Sequence, residues 1–401
     1  MREHRLEVAD VFRQQQGAFL KRWGHTLSPQ QRKALRDIGA CRTAALGGHI
    51  EQCDDCPHEV IAYNSCRNRH CPKCQSTARD RWLAERAKEL LPVPYCHVVF
   101  TIPEPLKPLT LQNQRLVYGL LFRAVSQTLL EIAADPRRLG AHVGFLAVLH
   151  TWSQSLLHHP HIHCVVPAGG LAPDGARWIP CRRKFFLPVA VLSQLFRGKF
   201  LALLRDAFAD GKLEFHGQLI PLRHSTRFYA LLRQLKSIKW VVYAKPPFGG
   251  PEYVLKYLAR YTHRVAISNG RLLGFENGEV TFQWRDSKDS NQMKVMTLDA
   301  VEFIRRFLLH ILPSSFVKIR HFGFLSNRRR STALALCRQR LPQPAVDSHV
   351  ATILSDPQQS ALKRRCPMCQ RGTLHITRRL SAEELLIYVG NNWPAYQIDS
   401  S

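Results

Sequence analysis

Two Cys-x-x-Cys pairs near the start of the chain constrain its fold more than any other feature. Cys53 and Cys56 form one pair, Cys71 and Cys74 form the other, and fourteen residues separate them. Each pair turns the backbone tightly enough to direct two sulfurs at one ion, and the intervening loop lets the two halves meet. The spacing predicts a four-thiolate zinc module made by these four cysteines.

The same cysteine-rich block offers further ligands. They are two cysteines and two histidines: Cys41, His49, Cys66 and His70. Together they are enough for a second tetrahedral zinc site, so we expect one or two structural zinc ions. The alternative is that both cysteines are small core residues and both histidines are surface hydrogen-bond donors.

The net charge of the chain and its expected cellular compartment limit the kinds of partner it can have. The formal net charge is +27 and the isoelectric point is near 10.1, with the excess spread along the chain, which predicts a nucleic acid partner. Arg67 and Arg69, between the two pairs, are candidates to contact DNA. No apolar run approaches 18 residues and no signal sequence is evident, so we expect a cytosolic protein with no membrane partner. In that compartment twelve cysteines favour metal binding over disulfides.

A histidine motif in the middle of the chain predicts a second kind of metal site. His161 and His163 flank Ile162. In a β-strand the two imidazoles point to one face, about 6 to 7 Å apart at the backbone, and can share a divalent cation. The alternative is the polar face of a half-buried strand.

A third ligand is needed for a stable site, and the sequence does not choose between candidates. His159, His150 and Gln154 are the nearest suitable side chains. His159 faces the same side as His161 if the strand extends that far, although Pro160 can end it first. We take His159 with His161 and His163 as the expected set.

Two tyrosines on a predicted helix are candidate nucleophiles. Pro251 fits a helix start, and Tyr257 and Tyr261 are four residues apart, so their hydroxyls emerge from one face. The alternative is an amphipathic core stripe. Cationic side chains are interleaved with the tyrosines, which is natural for a surface against phosphate: Lys256, Arg260, His263 and Arg264.

The order of predicted elements indicates an α+β fold. Predicted strands at about 95–102, 142–152 and 160–168 are joined by short or helical connections, so we expect a sheet with helices on one side. Three consecutive domains follow: N-terminal helices with the zinc module (1–91), the sheet domain (92–325) and a basic C-terminal region (326–401). In the last, Cys366 and Cys369 are half a metal site that Cys337 or His375 could complete.

The cysteine block, the His161-Ile162-His163 motif and the stretch Tyr-Leu-Ala-Arg-Tyr-Thr-His-Arg at 257–264 together resemble the rolling-circle transposases of the insertion sequence 91 family. The similarity covers roughly residues 10 to 330. It implies an N-terminal zinc-binding domain, an antiparallel-sheet endonuclease domain with Mg²⁺ or Mn²⁺ at the histidines, and a bacterial, nucleoid-associated location. It further implies nicking and rejoining of single-stranded DNA at element ends and target sites, through a 5′-phosphotyrosine on Tyr257 or Tyr261.

Two other functions remain open at this stage. A plasmid replication initiator or relaxase would use the same histidines and tyrosines on an origin of replication. A zinc-dependent DNA-binding regulator would use neither motif for chemistry.

Overall fold

The computed structural model describes residues 5–182, 186–248, 253–254, 265–286, 289–341 and 364–392. The chain divides into two compact units, each built from segments distant in sequence. The first, called here the cysteine unit, comprises Met1–Ala78, Ile267–Leu308 and Ala345–Ser401. The second, the histidine unit, comprises Arg79–Ala266 and Leu309–Pro344. This division differs from the three consecutive domains expected at 1–91, 92–325 and 326–401, because a C-terminal strand pairs with an N-terminal one.

The described helices are α1 (Val8–Trp23), α2 (Pro29–Gly39), α3 (Pro72–Ala87), α4 (Lys107–Gln112), α5 (Gln114–Ala134), α6 (Val189–Ala209), α7 (Ser225–Ser237), α8 (Ala300–Leu308), α9 (Arg330–Arg340) and α10 (Ala382–Asn392). The described strands are β1 (Gly48–Cys53), β2 (Glu59–Tyr63), β3 (Tyr95–Thr101), β4 (Gly144–Trp152), β5 (His158–Pro167), β6 (Gly169–Leu171), β7 (Trp178–Pro180), β8 (Val242–Phe248), β9 (Leu272–Glu276), β10 (Glu279–Asp286), β11 (Gln292–Asp299), β12 (Ile319–Gly323) and β13 (Leu374–Leu380). Helices and antiparallel sheets together confirm the predicted α+β class.

The cysteine unit begins with two helices and contains two three-stranded sheets. Ser28 and Gln31 form a capping box at the start of α2, each side chain bonding the backbone N–H of the other residue. Phe12 of α1 contacts Phe307 of α8 edge to face, with ring centroids 5.2 Å apart. One sheet has the order β11-β10-β9 and the other β13-β1-β2. The second sheet therefore joins the C-terminal segment to the cysteine-rich block.

The histidine unit is built on a five-stranded sheet with the order β12-β4-β5-β3-β8, in which all neighbouring strands are antiparallel. Helices α5, α6 and α7 cover one face of the sheet and form with it the largest apolar core of the described chain. Ile162, Cys164 and Val166 of β5 point into that core. Because side chains alternate along a strand, His161 and His163 point to the opposite face. We call this the histidine-bearing face.

Helix α5 is long and apolar enough to cross a membrane by composition alone. Within the histidine unit, 61% of the most apolar 18-residue stretch of this helix is buried. Val117, Leu121 and Val125 lie in the core under the sheet. Its apolar character is thus explained by packing against β-strands.

Candidate active site and metal centres

Three histidines meet on the histidine-bearing face. His161 and His163 lie on the central strand β5, and His150 lies on the adjacent strand β4, directly opposite His161 in the strand register. One ring nitrogen from each lies within 4.8 Å of the other two. The ring centroids of His150 and His163 are 4.5 Å apart, and those of His161 and His163 are 4.8 Å apart. Three imidazole nitrogens this close can bind one divalent cation.

His159, expected from the sequence as the third ligand, is not a member of this group of described residues. Strand β5 does run through Pro160, so His159 shares a face with His161 and His163. Four residues of strand separate it from His163, however, which is about 13 Å. Directly opposed residues on neighbouring strands are only about 5 Å apart, so His150 takes the place that was expected for His159.

The backbone of His159 contributes in a different way. Its carbonyl oxygen lies 2.7 Å from Nδ1 of His161 and accepts a hydrogen bond from it. With the proton held on Nδ1, the lone pair of Nε2 of His161 is available for a cation.

His97 contacts the other strand histidine and was not recognised in the sequence. Its Nε2 lies 2.9 Å from Nδ1 of His163, and the two rings are stacked. Burial lowers the pKa of His97 to about 3, with contributions from Lys245 and His161, so the ring is neutral and can accept a hydrogen bond. The signal that could have identified it is parity: on β3, Cys96 and Val98 point into the core, so His97 points to the histidine-bearing face.

Two further described side chains share this face at its β8 edge. Lys245 is opposite His97, and Tyr243 is opposite Val99, which is itself opposite His163. Lys245 and Tyr243 are both exposed. A cation and a phenol therefore lie together on β8, two strands from His161 and His163.

The segment that carries the predicted nucleophiles is described only at its start. Val254 is buried among Leu146, Val148 and Val165, which point to the histidine-bearing face, and Tyr253 beside it is 60% exposed. The remaining predicted residues of this segment lie outside the described chain: Tyr257, Tyr261, Lys256, Arg260, His263 and Arg264.

Eight of the twelve cysteines form two groups of four. One group is Cys41, Cys66, Cys71 and Cys74, and the other is Cys53, Cys56, Cys366 and Cys369. In each group the sulfurs all lie within 4.8 Å of one another. The two Cys-x-x-Cys pairs thus belong to different groups, and the predicted module of Cys53, Cys56, Cys71 and Cys74 was grouped incorrectly.

The geometry of the β1–β2 hairpin explains why the two Cys-x-x-Cys pairs belong to different groups. Cys53 ends β1 at the turn of the hairpin, whereas Cys66 follows β2 at the open end of the hairpin. At that open end the backbone N–H of Arg42 donates to the carbonyl oxygen of Asn64 at 3.1 Å. A strand of six residues places these two ends about 20 Å apart. The two pairs therefore cannot reach a common ion.

The two histidines expected in a second zinc site have other contacts. His49 Nε2 lies 3.0 Å from Glu51 Oε1, and His70 Nδ1 lies 3.3 Å from Asn68 Oδ1. Neither is in a cysteine group among the described residues. Beside the first group, Arg67 is exposed, and burial lowers the pKa of the partly buried Arg69.

Comparison with known proteins assigns the chain to a family. Residues 11–102 match the family described as "Transposase zinc-binding domain", and residues 144–332 match the family described as "Putative transposase". The chain is 54% identical to "Putative transposase y4qJ" of Sinorhizobium fredii over 376 residues, 92% of this chain and 94% of that protein. It is 30% identical to "Transposase for insertion sequence element IS801" of Pseudomonas savastanoi pv. phaseolicola, over 80% of this chain and 76% of that protein. No solved structure matches it. The chain belongs to the insertion sequence 91 family of transposases.

Proposed function

We propose that this transposase nicks and rejoins single-stranded DNA at the ends of an insertion sequence and at target sites, through a covalent 5′-phosphotyrosine intermediate, and so moves the element by rolling-circle-like transfer. The observation that carries the proposal is the set of His150, His161 and His163 on two central strands of an antiparallel sheet. The net charge of +27 fits a DNA substrate. We expect the protein to act in the bacterial cytoplasm, on nucleoid DNA.

The donor set is compatible with a catalytic divalent cation. Three imidazole nitrogens favour Mn²⁺ and later transition metals over Mg²⁺, which prefers oxygen ligands. His150, His161 and His163 would hold the ion. When bound there, it would supply Lewis-acid polarisation of the scissile phosphate.

The nucleophile in this proposal is the phenol oxygen of Tyr257 or Tyr261. That oxygen forms a bond to phosphorus as the bond from phosphorus to the 3′-oxygen breaks, and the phenol proton passes, directly or through solvent, to the departing 3′-hydroxyl. The energy of the phosphodiester is kept in the tyrosine ester, so a later 3′-hydroxyl can attack it and restore the strand.

Chain connectivity supports these tyrosines over more distant ones. Val254 is buried against the histidine-bearing face, and Tyr257 follows three residues later. Three residues of chain span at most about 11 Å, and this short reach supports Tyr257 as a candidate. Lys245 on the same face is available to contact phosphate.

The direct test is to trap the covalent adduct. The purified protein is incubated with Mn²⁺ and a single-stranded oligonucleotide that contains an element end, and the adduct peptide is sequenced by mass spectrometry. We expect a nucleotide mass on Tyr257 or Tyr261. An oligonucleotide from a plasmid origin should give no adduct, whereas preferential capture of the origin would favour a replication initiator.

His97 is expected to position His163 for the cation. Replacing His97 with alanine removes the hydrogen-bond acceptor from His163 Nδ1 and should weaken Mn²⁺ binding by about 10- to 100-fold. Mn²⁺ affinity is measured by calorimetry on protein whose zinc content is unchanged. His97→Gln, whose amide oxygen can replace Nε2 as acceptor, should recover part of the affinity. Wild-type Mn²⁺ affinity in His97→Ala would contradict the role.

A further inference from the structure

Two cysteine pairs that are more than 300 residues apart in sequence face each other in the cysteine unit. Cys53 Sγ lies 3.7 Å from Cys369 Sγ, and Cys56 Sγ lies 3.6 Å from Cys366 Sγ. We propose that these four cysteines bind a second structural zinc ion, which fastens the C-terminal segment 364–380 to the N-terminal zinc-binding domain. The match to the family's zinc-binding domain ends at residue 102, so half of this site lies outside it. The proposal does not depend on the nicking reaction.

The sulfur distances distinguish a metal site from a disulfide. Zinc–sulfur bonds of about 2.3 Å in a tetrahedron place the sulfurs about 3.8 Å apart. Sulfurs joined in a disulfide are about 2.05 Å apart. The separations of 3.6 and 3.7 Å match the tetrahedron. The first group has the same spacing, with Cys41 and Cys66 each 3.6 Å from Cys74.

The two pairs are also presented by similar turns. The backbone N–H of Asp55 donates to Cys53 Sγ at 3.4 Å, and that of Gly372 donates to Cys369 Sγ at 3.3 Å. In the first group the N–H of Asn68 donates to Cys66 Sγ at 3.5 Å. Such hydrogen bonds stabilise the thiolate form that zinc requires.

Gly372 shows how closely the two turns approach each other. A Cβ atom at this position would overlap the sulfur of Cys53 and would lie 2.7 Å from Asp54 Oδ1. Only glycine therefore lets the C-terminal turn lie against the N-terminal one. Two turns that supply ligands to one ion must lie this close to each other.

Few apolar contacts surround the site itself, although Leu380 and Leu385 pack against Ile50 and Ile61 further along the segment. Cys53, Cys366 and Leu374 are the buried members of this small core in the described chain, and two of them are proposed ligands. The ion pair of Arg371 with Asp55 is largely exposed and contributes little. Strand β13 does pair with β1, from Leu374 opposite Cys53 to Leu380 opposite Gly48. A small core of this kind is usually stabilised by its metal, so zinc binding and docking of the segment should be one event.

The first test is the zinc content of the full-length protein, measured by elemental mass spectrometry. Wild-type protein should contain two zinc ions, and Cys366→Ser/Cys369→Ser should contain one. Cys66→Ser/Cys74→Ser, which removes two ligands of the other group, should also contain one. Cys337→Ala, a buried cysteine in the core of the histidine unit, should keep both ions. Two ions in Cys366→Ser/Cys369→Ser, or one in the wild type, would overturn the proposal.

A second measurement covers the case in which that variant does not fold. A protease site is inserted near residue 350 of the otherwise unaltered chain, and the folded zinc-loaded protein is cut. The C-terminal fragment should co-elute with the remainder of the protein and separate from it when a chelator removes zinc. A fragment that separates before zinc is removed, or stays bound after it is removed, would show that zinc does not fasten this segment.

Discussion

The double variant Tyr257→Phe/Tyr261→Phe is expected to form no covalent adduct with single-stranded DNA, even in long incubations with Mn²⁺. Phenylalanine keeps the ring and lacks only the oxygen that attacks phosphorus, so the chemistry is lost without a large change in packing. Binding of the same oligonucleotide, measured by fluorescence anisotropy, should stay within about twofold of the wild type, because phosphate contacts come from cationic side chains. Each single variant should retain part of the reaction and lose either cleavage or rejoining.

Matched controls exist among the other tyrosines of the histidine unit. Tyr253→Phe changes an exposed phenol immediately before the same segment and should capture DNA normally. Tyr243 is the more demanding control, because it lies on the histidine-bearing face itself, two strands from His163. Undiminished capture by the double variant, together with loss of capture in Tyr243→Phe, would show that the nucleophile is Tyr243 on β8.

The histidine motif illustrates what local sequence can predict. Alternation along one strand was sufficient to place His161 and His163 on one face, and the structure has that arrangement on β5. His150 and His97 lie on β4 and β3, and they meet β5 through strand register, which depends on how distant segments pair. A single sequence does not specify that register. This is why the expected third ligand was the histidine nearest in sequence.

The cysteines show the same limit on a larger scale. The Cys-x-x-Cys spacing was sufficient to bring the two sulfurs of each pair together, because two sulfurs on one tight turn depend only on local backbone. Which pairs share an ion depends on the length of the β1–β2 hairpin and on the pairing of β1 with β13. The latter joins residues more than 300 positions apart, and no pattern near Cys366 indicates it.

Replacing His150 with alanine is expected to abolish metal-dependent nicking, with a rate loss of about 10³-fold or more. Each imidazole is one of three nitrogens within 4.8 Å, and removing one leaves too few protein ligands to hold the cation. The stabilisation that a metal gives to the charged phosphate in the transition state is several kcal/mol, which corresponds to a loss of this size. The nicking rate is measured on a single-stranded oligonucleotide at fixed Mn²⁺, and His161→Ala should behave in the same way. The zinc content of both variants should be unchanged, because all eight grouped cysteines remain.

His159→Ala distinguishes His150, the third histidine of the group in the structure, from His159, the third ligand expected from the sequence. Alanine keeps the backbone carbonyl that accepts the hydrogen bond from His161 Nδ1, and it removes only the imidazole. Nicking and Mn²⁺ affinity should therefore stay near wild-type values in His159→Ala and fall in His150→Ala. The reverse result would mean that the cation binds nearer the start of β5, with His159 and His161 as its ligands.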